Sequence, residues 1–323
     1  MVKLRNSSFE LLRIFLILLI LVEHANMWFI GGNTANELEH AVRCIVQSIC
    51  LPAVNAFVLI SGWFGIKGDF KRLFPLFSQL FFCTIPFALI FGVLGKINLF
   101  SLEGVYNYLL GGDNYWFIID YVALVLFAPL LNTVVENVDQ KTLRTTLLST
   151  YLLIVPMDVV LRTHVLGIEG GYSALWFIWL YLFARYVKIY GWKFAENHKW
   201  RIIVCCVILE AVLFYFGLLG TRYTNPLVLM PALCMLLVFR DFSFQSKVVN
   251  SLAPATLMVY MLHMQPCLVP FIRVSLCSLY HSFGYYTYMF EVLGMIVLLY
   301  GLSVLLYQLQ SSVWGLLSNR IIK

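Results

Sequence analysis

Arg13 and His24 stand eleven residues apart in the first apolar run of the chain. At about 100° and 1.5 Å per residue, that spacing brings a helix back to within roughly 20° of the same face, about 16 Å further along its axis. The two side chains are too far apart to pair with each other. One face therefore offers a guanidinium suited to an anion at one end and an imidazole suited to moving a proton at the other. Arg13 can also meet Glu10, one turn earlier. Glu23 adjoins His24, but consecutive helical residues point about 100° apart, so its carboxylate is expected on a different side.

His263 and Tyr260 form a second candidate group, with His263 expected near the middle of a later apolar run and Tyr260 one turn before it. His263 suits either orienting a substrate or His24, or hydrogen-bonding within the bundle. Lys67, Lys71 and Arg72 collect in one short loop, where three cations suit phosphates or simply mark a cytoplasmic connection. The Trp116 ring could stack on a sugar face, and Asn132 is polar enough to bind hydroxyls or, equally, to hydrogen-bond between helices. His40, His164, His198 and His281 fall in expected loops without mutual ligand spacing, so no metal site is expected.

The elements that must position these residues follow from composition. Of 323 residues, 61% are hydrophobic and 12% charged, against about 25% charged in an ordinary soluble domain. A soluble globule is excluded. Runs such as Ile14 to Val22 and Leu293 to Leu306 are almost continuously apolar, without the alternation of a membrane β-barrel. The expectation is an all-α transmembrane bundle of about ten spans: 10 to 30, 43 to 66, 72 to 94, 115 to 135, 144 to 162, 172 to 191, 201 to 220, 223 to 240, 251 to 272 and 286 to 310. The stretch from Asn98 to Asn114 is expected to lie in the interface or re-enter the membrane. With the first residues inside, sixteen Lys and Arg fall on the cytoplasmic side and five outside, which places both termini in the cytoplasm. No repeat divides the chain, so residues 1–323 are read as one integral-membrane domain. The eight cysteines include Cys83, Cys205, Cys206 and Cys234 inside apolar runs and read mostly as lipid-compatible core residues. The net charge of +6 is scattered in short clusters that set topology, which argues against a nucleic-acid partner. Trp28, Tyr106, Tyr108, Tyr115, Trp116, Tyr172, Trp176 and Trp179 are expected as an aromatic belt at the outer membrane surface.

Phe9-Glu-Leu-Leu-Arg13, followed by ten residues and His24, resembles the opening signature of the membrane-bound acyltransferase family 3. Asn55 to Phe64, Trp116 to Tyr121 with Ala128 to Asn132, and Thr256 to His263 are similar to later segments of that family, in the same order. The resemblance implies transfer of an acyl group, usually acetyl, from cytosolic acyl-CoA to a hydroxyl, often on a glycan. It also implies His24 as the catalytic residue, with Arg13 before it and a basic loop, here Lys67, Lys71 and Arg72, toward acyl-CoA; Trp116, Tyr121, Asn132, Tyr260 and His263 are then the residues expected toward the acceptor. The co-substrate would be acyl-CoA with no permanently bound cofactor. The acceptor would be a cell-surface polysaccharide or lipid-linked glycan, and the location the cell membrane, the inner one where a cell has two. A neutral imidazole within hydrogen-bond reach of an alcohol fits that chemistry, because it can take the proton as the oxygen attacks a thioester. The rival reading is a transporter or flippase, in which Arg13, Glu23, His24, Asp158, Glu210, His263 and Glu291 line a polar pathway.

Overall fold

A computed structural model of the chain describes residues 6–67, 73–163 and 166–321, with side chains as far as Gly315. No strand occurs among the described residues. The helices are α1 Ser8–Glu23, α2 Glu37–Cys50, α3 Pro52–Phe64, α4 Leu73–Val93, the short α5 Leu102–Gly104, α6 Trp116–Asn137, α7 Gln140–Ile154, α8 Ala174–Tyr190, α9 Lys193–Tyr215, α10 Pro226–Asp241, α11 Lys247–Leu252, α12 Thr256–His263 and α13 Val269–Ile321. Local sequence sets many of their ends. Asn36, Asp139, Ser173, Asn225 and Ser246 each accept a backbone N–H at the start of the helix that follows. Pro52 and Pro226 occupy first-turn positions, where a missing N–H costs no helical bond. Gly65 and Gly191 leave α3 and α8 with φ of 75° and 72°, a region that suits a residue without Cβ.

Among the described residues, five helical stretches are long and apolar enough to cross a membrane: Glu37–Phe64, Leu73–Val93, Leu102–Asn137, Gln140–Val160 and Val269–Gly315. The first is mostly buried inside the protein, whereas the other four leave most of their apolar surface on the outside. Val93, Phe290 and Leu298 stand fully or largely exposed in that way. Contiguous apolar surface on this scale needs hydrocarbon around it, and the chain is a membrane protein. The interior is built from α1, α3, α8, α10 and α12, whose apolar residues form one buried cluster. At Gly62 of α3 an added Cβ would stand 2.6 Å from the Tyr181 carbonyl oxygen and 2.8 Å from Ala184 Cβ, so the missing side chain sets the approach of α3 to α8.

Several expected boundaries change. The second run begins at Glu37, six residues before the expected start, and is divided at Leu51 by Pro52. The ninth run does not continue to residue 272: α12 stops at His263, and a turn through Met264 to Leu268 leads into α13. Pro266 explains the stop, since it lacks an N–H and disfavours helical backbone at Gln265. His263 is thus a terminal helical residue and not a mid-span one. The last run is longer than expected, Val269–Ile321, and breaks once at Gly284 with φ 72° and ψ 169°. Three of the four histidines expected in loops, His40, His198 and His281, lie in α2, α9 and α13, and His164 lies outside the described residues. The Asn98 to Asn114 stretch is a chain of short turns that feeds directly into α6. The aromatic belt is incomplete: Tyr115, Trp176 and Trp179 are buried. Their polar atoms explain this, because Tyr115 donates to the Met261 carbonyl, Trp176 to Asn55, and Trp179 to Thr150.

Candidate active site

The first helix does not end at Glu23. It continues as a π-helical turn over His24–Trp28, a widening often found where a side chain is re-aimed for function. Arg43 holds that turn. It is completely buried and donates to the carbonyl oxygens of Asn26 (2.7 and 3.1 Å), Asn33 (2.7 Å) and Gly31, with Glu39 beside it at 3.5 Å. Asn26 returns a bond to the Arg43 carbonyl at 2.9 Å and accepts from the Tyr285 hydroxyl at 2.6 Å, while Tyr288 donates to the Ala25 carbonyl at 2.8 Å. The carbonyl groups freed by the π turn are therefore satisfied by side chains from α2 and α13.

His24 is hydrogen-bonded on one side and flanked by a carboxyl group on the other. Its Nδ1 lies 2.9 Å from Nε2 of His263, whose own Nδ1 lies 3.0 Å from the Val259 carbonyl oxygen. Its Nε2 lies 3.3 Å from Oε2 of Glu23. The carboxylate expected on a different side is thus beside the ring. The reason is Gln47, whose amide donates to the other Glu23 oxygen at 2.6 Å and holds the flexible side chain across the angle between neighbouring positions. Neither Glu23 as a neighbour of His24 nor Arg43 as its support is apparent from helix spacing. The signal available was the run of polar residues Asn26, Arg43 and Gln47 within apolar sequence.

Glu23 and His24 open onto a cavity of about 790 Å³ enclosed by α1, α3, α6, α12 and the loop before α8, within the size range of small-molecule sites. Arg13 and His24 both line it, and its two ends differ. At the Arg13 end lie Ser61 and Tyr121, joined at 3.4 Å, near the Phe9–Phe64 contact that closes α1 against the end of α3. At the His24 end lie Trp28, Asp113, Asn114, Trp116, Glu169, Tyr172, Tyr223, Tyr260 and Met264. Trp116 packs on Tyr172 at 4.6 Å and on Tyr223 at 6.0 Å. Asp113, Glu23 and Glu169 bring carboxylates to this end, whereas Arg13 is the one Lys or Arg among the described lining residues. Glu169 sits at φ 50°, an uncommon conformation for a residue with a side chain. It is carried by a turn whose next amide, Gly170 N–H, donates to the buried Asp158 at 2.9 Å.

Of the residues expected to meet ligands, Arg13, His24, Trp116, Tyr121 and Tyr260 share this cavity. His263 stands behind His24, buried and outside the lining. Asn132 is elsewhere: its amide donates to the Ile66 carbonyl at 2.8 Å and its oxygen accepts from Tyr181 at 2.6 Å, tying α6 to the end of α3 and to α8. Lys67 is exposed and does not line the cavity, and Lys71 and Arg72 lie outside the described residues. Three of the residues named for a polar transport pathway lie away from this cavity. Asp158 pairs with Arg222 at 2.7 Å and with Thr224, Glu210 accepts from Asn225 at 2.8 Å, and Glu291 is on an exposed face of α13.

A half-buried imidazole and an arginine, the one Lys or Arg among the described lining residues, thus share one cavity. The chain belongs to the acyltransferase 3 family: the model of its acyltransferase domain matches residues 6–308. That span takes in α1, every described residue lining the cavity, and most of α13. No curated protein and no solved structure matches the chain. The protein is a membrane acyltransferase.

Proposed function

We propose that the protein transfers an acyl group, acetyl in the first instance, from cytosolic acyl-CoA to a hydroxyl of a cell-surface polysaccharide or of its lipid-linked precursor. It does so as a multi-pass protein of the cell membrane, the inner one where a cell has two. The observation that carries this reading is the single cavity that Arg13 and His24 share at opposite ends. Arg13 takes a phosphate of the donor at its end, with Lys67, Lys71 and Arg72 following it in sequence toward the same ligand. The pantetheine arm extends toward His24 over a distance similar to the roughly 16 Å rise between the two residues. His24 removes the proton of the acceptor hydroxyl as its oxygen attacks the thioester carbonyl, and the thiol of CoA leaves with a proton. Trp116, Tyr172 and Tyr223 suit the faces of sugar rings, and Asp113 and Asn114 suit their hydroxyls.

The test is transfer of label from acetyl-CoA to an envelope-glycan fraction by the purified protein and by His24→Ala. The expected result is label on the glycan with the intact protein, and a loss of about 10²- to 10⁴-fold in the variant with acetyl-CoA binding retained. Undiminished transfer by the variant would remove His24 from the reaction. Absence of acetyl-CoA binding by either protein would overturn the donor assignment.

A further inference from the structure

The hydrogen-bond chain through His263 permits one arrangement of hydrogens in the neutral state. The Val259 carbonyl can only accept, so His263 Nδ1, 3.0 Å away, must carry the hydrogen between them. A neutral imidazole has one N–H, which leaves His263 Nε2 as a lone pair. That lone pair faces His24 Nδ1 at 2.9 Å, so His24 Nδ1 must donate. The nitrogen of His24 left without a hydrogen is Nε2, the one beside Glu23. The opposite arrangement would set the lone pair of His263 Nδ1 against the Val259 oxygen at the same 3.0 Å.

From this geometry we infer that His263 is a positioning residue that fixes His24 as its Nδ1–H tautomer, so that Nε2 is the base, with the Glu23 carboxyl group 3.3 Å to its side. The inference rests on the acyl-transfer reading for its step and on geometry alone for its tautomer. In the step, the acceptor O–H bond breaks and its proton goes to His24 Nε2, while the oxygen bonds to the thioester carbon. The carbon–sulfur bond then breaks, and the proton on Nε2 passes to the departing thiolate. Ester and free thiol are the products, and no oxidant or further reactant is needed. Between the two transfers the ring is a cation whose Nδ1–H is already accepted by His263 Nε2, while a Glu23 carboxyl oxygen lies 3.3 Å from Nε2, close enough to favour the positive charge. Both groups are in place before the charge forms, so little reorganisation accompanies it.

A structural pair of histidines would hold the helices together whichever nitrogen carried the hydrogen, so the test reads the hydrogen directly. The full-length protein is labelled with ¹⁵N-histidine, purified in detergent, and the His24 signals are assigned by their loss in His24→Gln. The expected spectrum has a protonated, pyrrole-type Nδ1 and an unprotonated, pyridine-type Nε2 for His24. Two variants separate positioning from packing. His263→Leu removes the acceptor and is expected to shift His24 toward its Nε2–H form and to lower kcat about 10²-fold, with KM for acyl-CoA unchanged. His263→Gln restores an acceptor oxygen and is expected to recover most of that loss. An Nε2–H tautomer in the intact protein would overturn the inference, as would His263→Leu with full kcat. A pyridine-type Nε2 in a protein that transfers no acyl group would instead overturn the acyl-transfer reading and leave the tautomer assignment standing.

Discussion

The two ends of the cavity are built differently. At the His24 end the central groups have a support drawn from a distant part of the chain: Glu23 from Gln47, His24 from His263, the π turn from Arg43, Tyr285 and Tyr288, and the Asn114 carbonyl from Tyr260 at 2.9 Å. At the other end Arg13 meets Glu10 of its own helix at 2.8 Å, its side chain is partly exposed, and the donors after it in sequence begin with the exposed Lys67. The difference matches what each end has to do. A proton must move within a few tenths of an ångström of a set geometry, and a fixed frame supplies that before substrate arrives. An anion is attracted over a longer range and brings its own charge, so a flexible guanidinium suffices.

Substitutions at the His24 end should therefore damage catalysis or folding, and substitutions at the Arg13 end should damage binding. The largest effect is expected from His24→Ala, the loss of about 10²- to 10⁴-fold in transfer given above, without loss of fold. Arg43→Met comes next. It leaves the buried Glu39 without its cation and the Asn26, Gly31 and Asn33 carbonyls without their donor, which costs about 3 to 5 kcal/mol. The readout is thermal unfolding in detergent, with a markedly lower Tm than the intact protein. A variant with unchanged Tm would mean that the π turn holds without Arg43, and the contrast between the ends would lose its main support.

The sequence made the all-α membrane class, the cavity's two defining residues and the family legible, because charge inside an apolar run is costly and a fixed spacing on one helix is a geometric statement. Arg13 and His24 do share the cavity, and Trp116, Tyr121 and Tyr260 join them there. What was hidden was whatever depends on packing between distant segments. Arg43 reads as one of a few outer cations until the π turn and the loop after it are seen to bring three carbonyl groups to it. Glu23 reads as pointing elsewhere until Gln47 is seen to hold it against His24. The end of α12 was legible in principle, since Gln265-Pro266 marks it, but continuous hydropathy obscured the turn.

At the Arg13 end smaller effects are expected. Arg13→Ala should raise KM for acyl-CoA about tenfold, the size of one charge-assisted contact, with kcat within about twofold. Steady-state kinetics over acyl-CoA concentration separates the two parameters, and a fall in kcat with unchanged KM would place Arg13 with the chemical machinery and remove the contrast between the ends.

Asn132 sharpens the contrast further, because its sequence context resembles a substrate-binding segment while its bonds are to protein. Its amide and oxygen are both engaged, with Ile66 and Tyr181, and the Tyr181 hydroxyl also accepts from the Ile66 amide at 3.0 Å. Asn132→Ala leaves those groups one partner short, which costs about 1 to 3 kcal/mol where they are buried. The expected outcome is a modestly lower Tm with KM for the acceptor and kcat both within about twofold of the intact protein, since neither reacting end of the cavity loses a lining group. A raised KM for the acceptor at unchanged Tm would instead put Asn132 on the path the acceptor takes, and would extend the binding surface beyond the cavity toward the join of α3, α6 and α8.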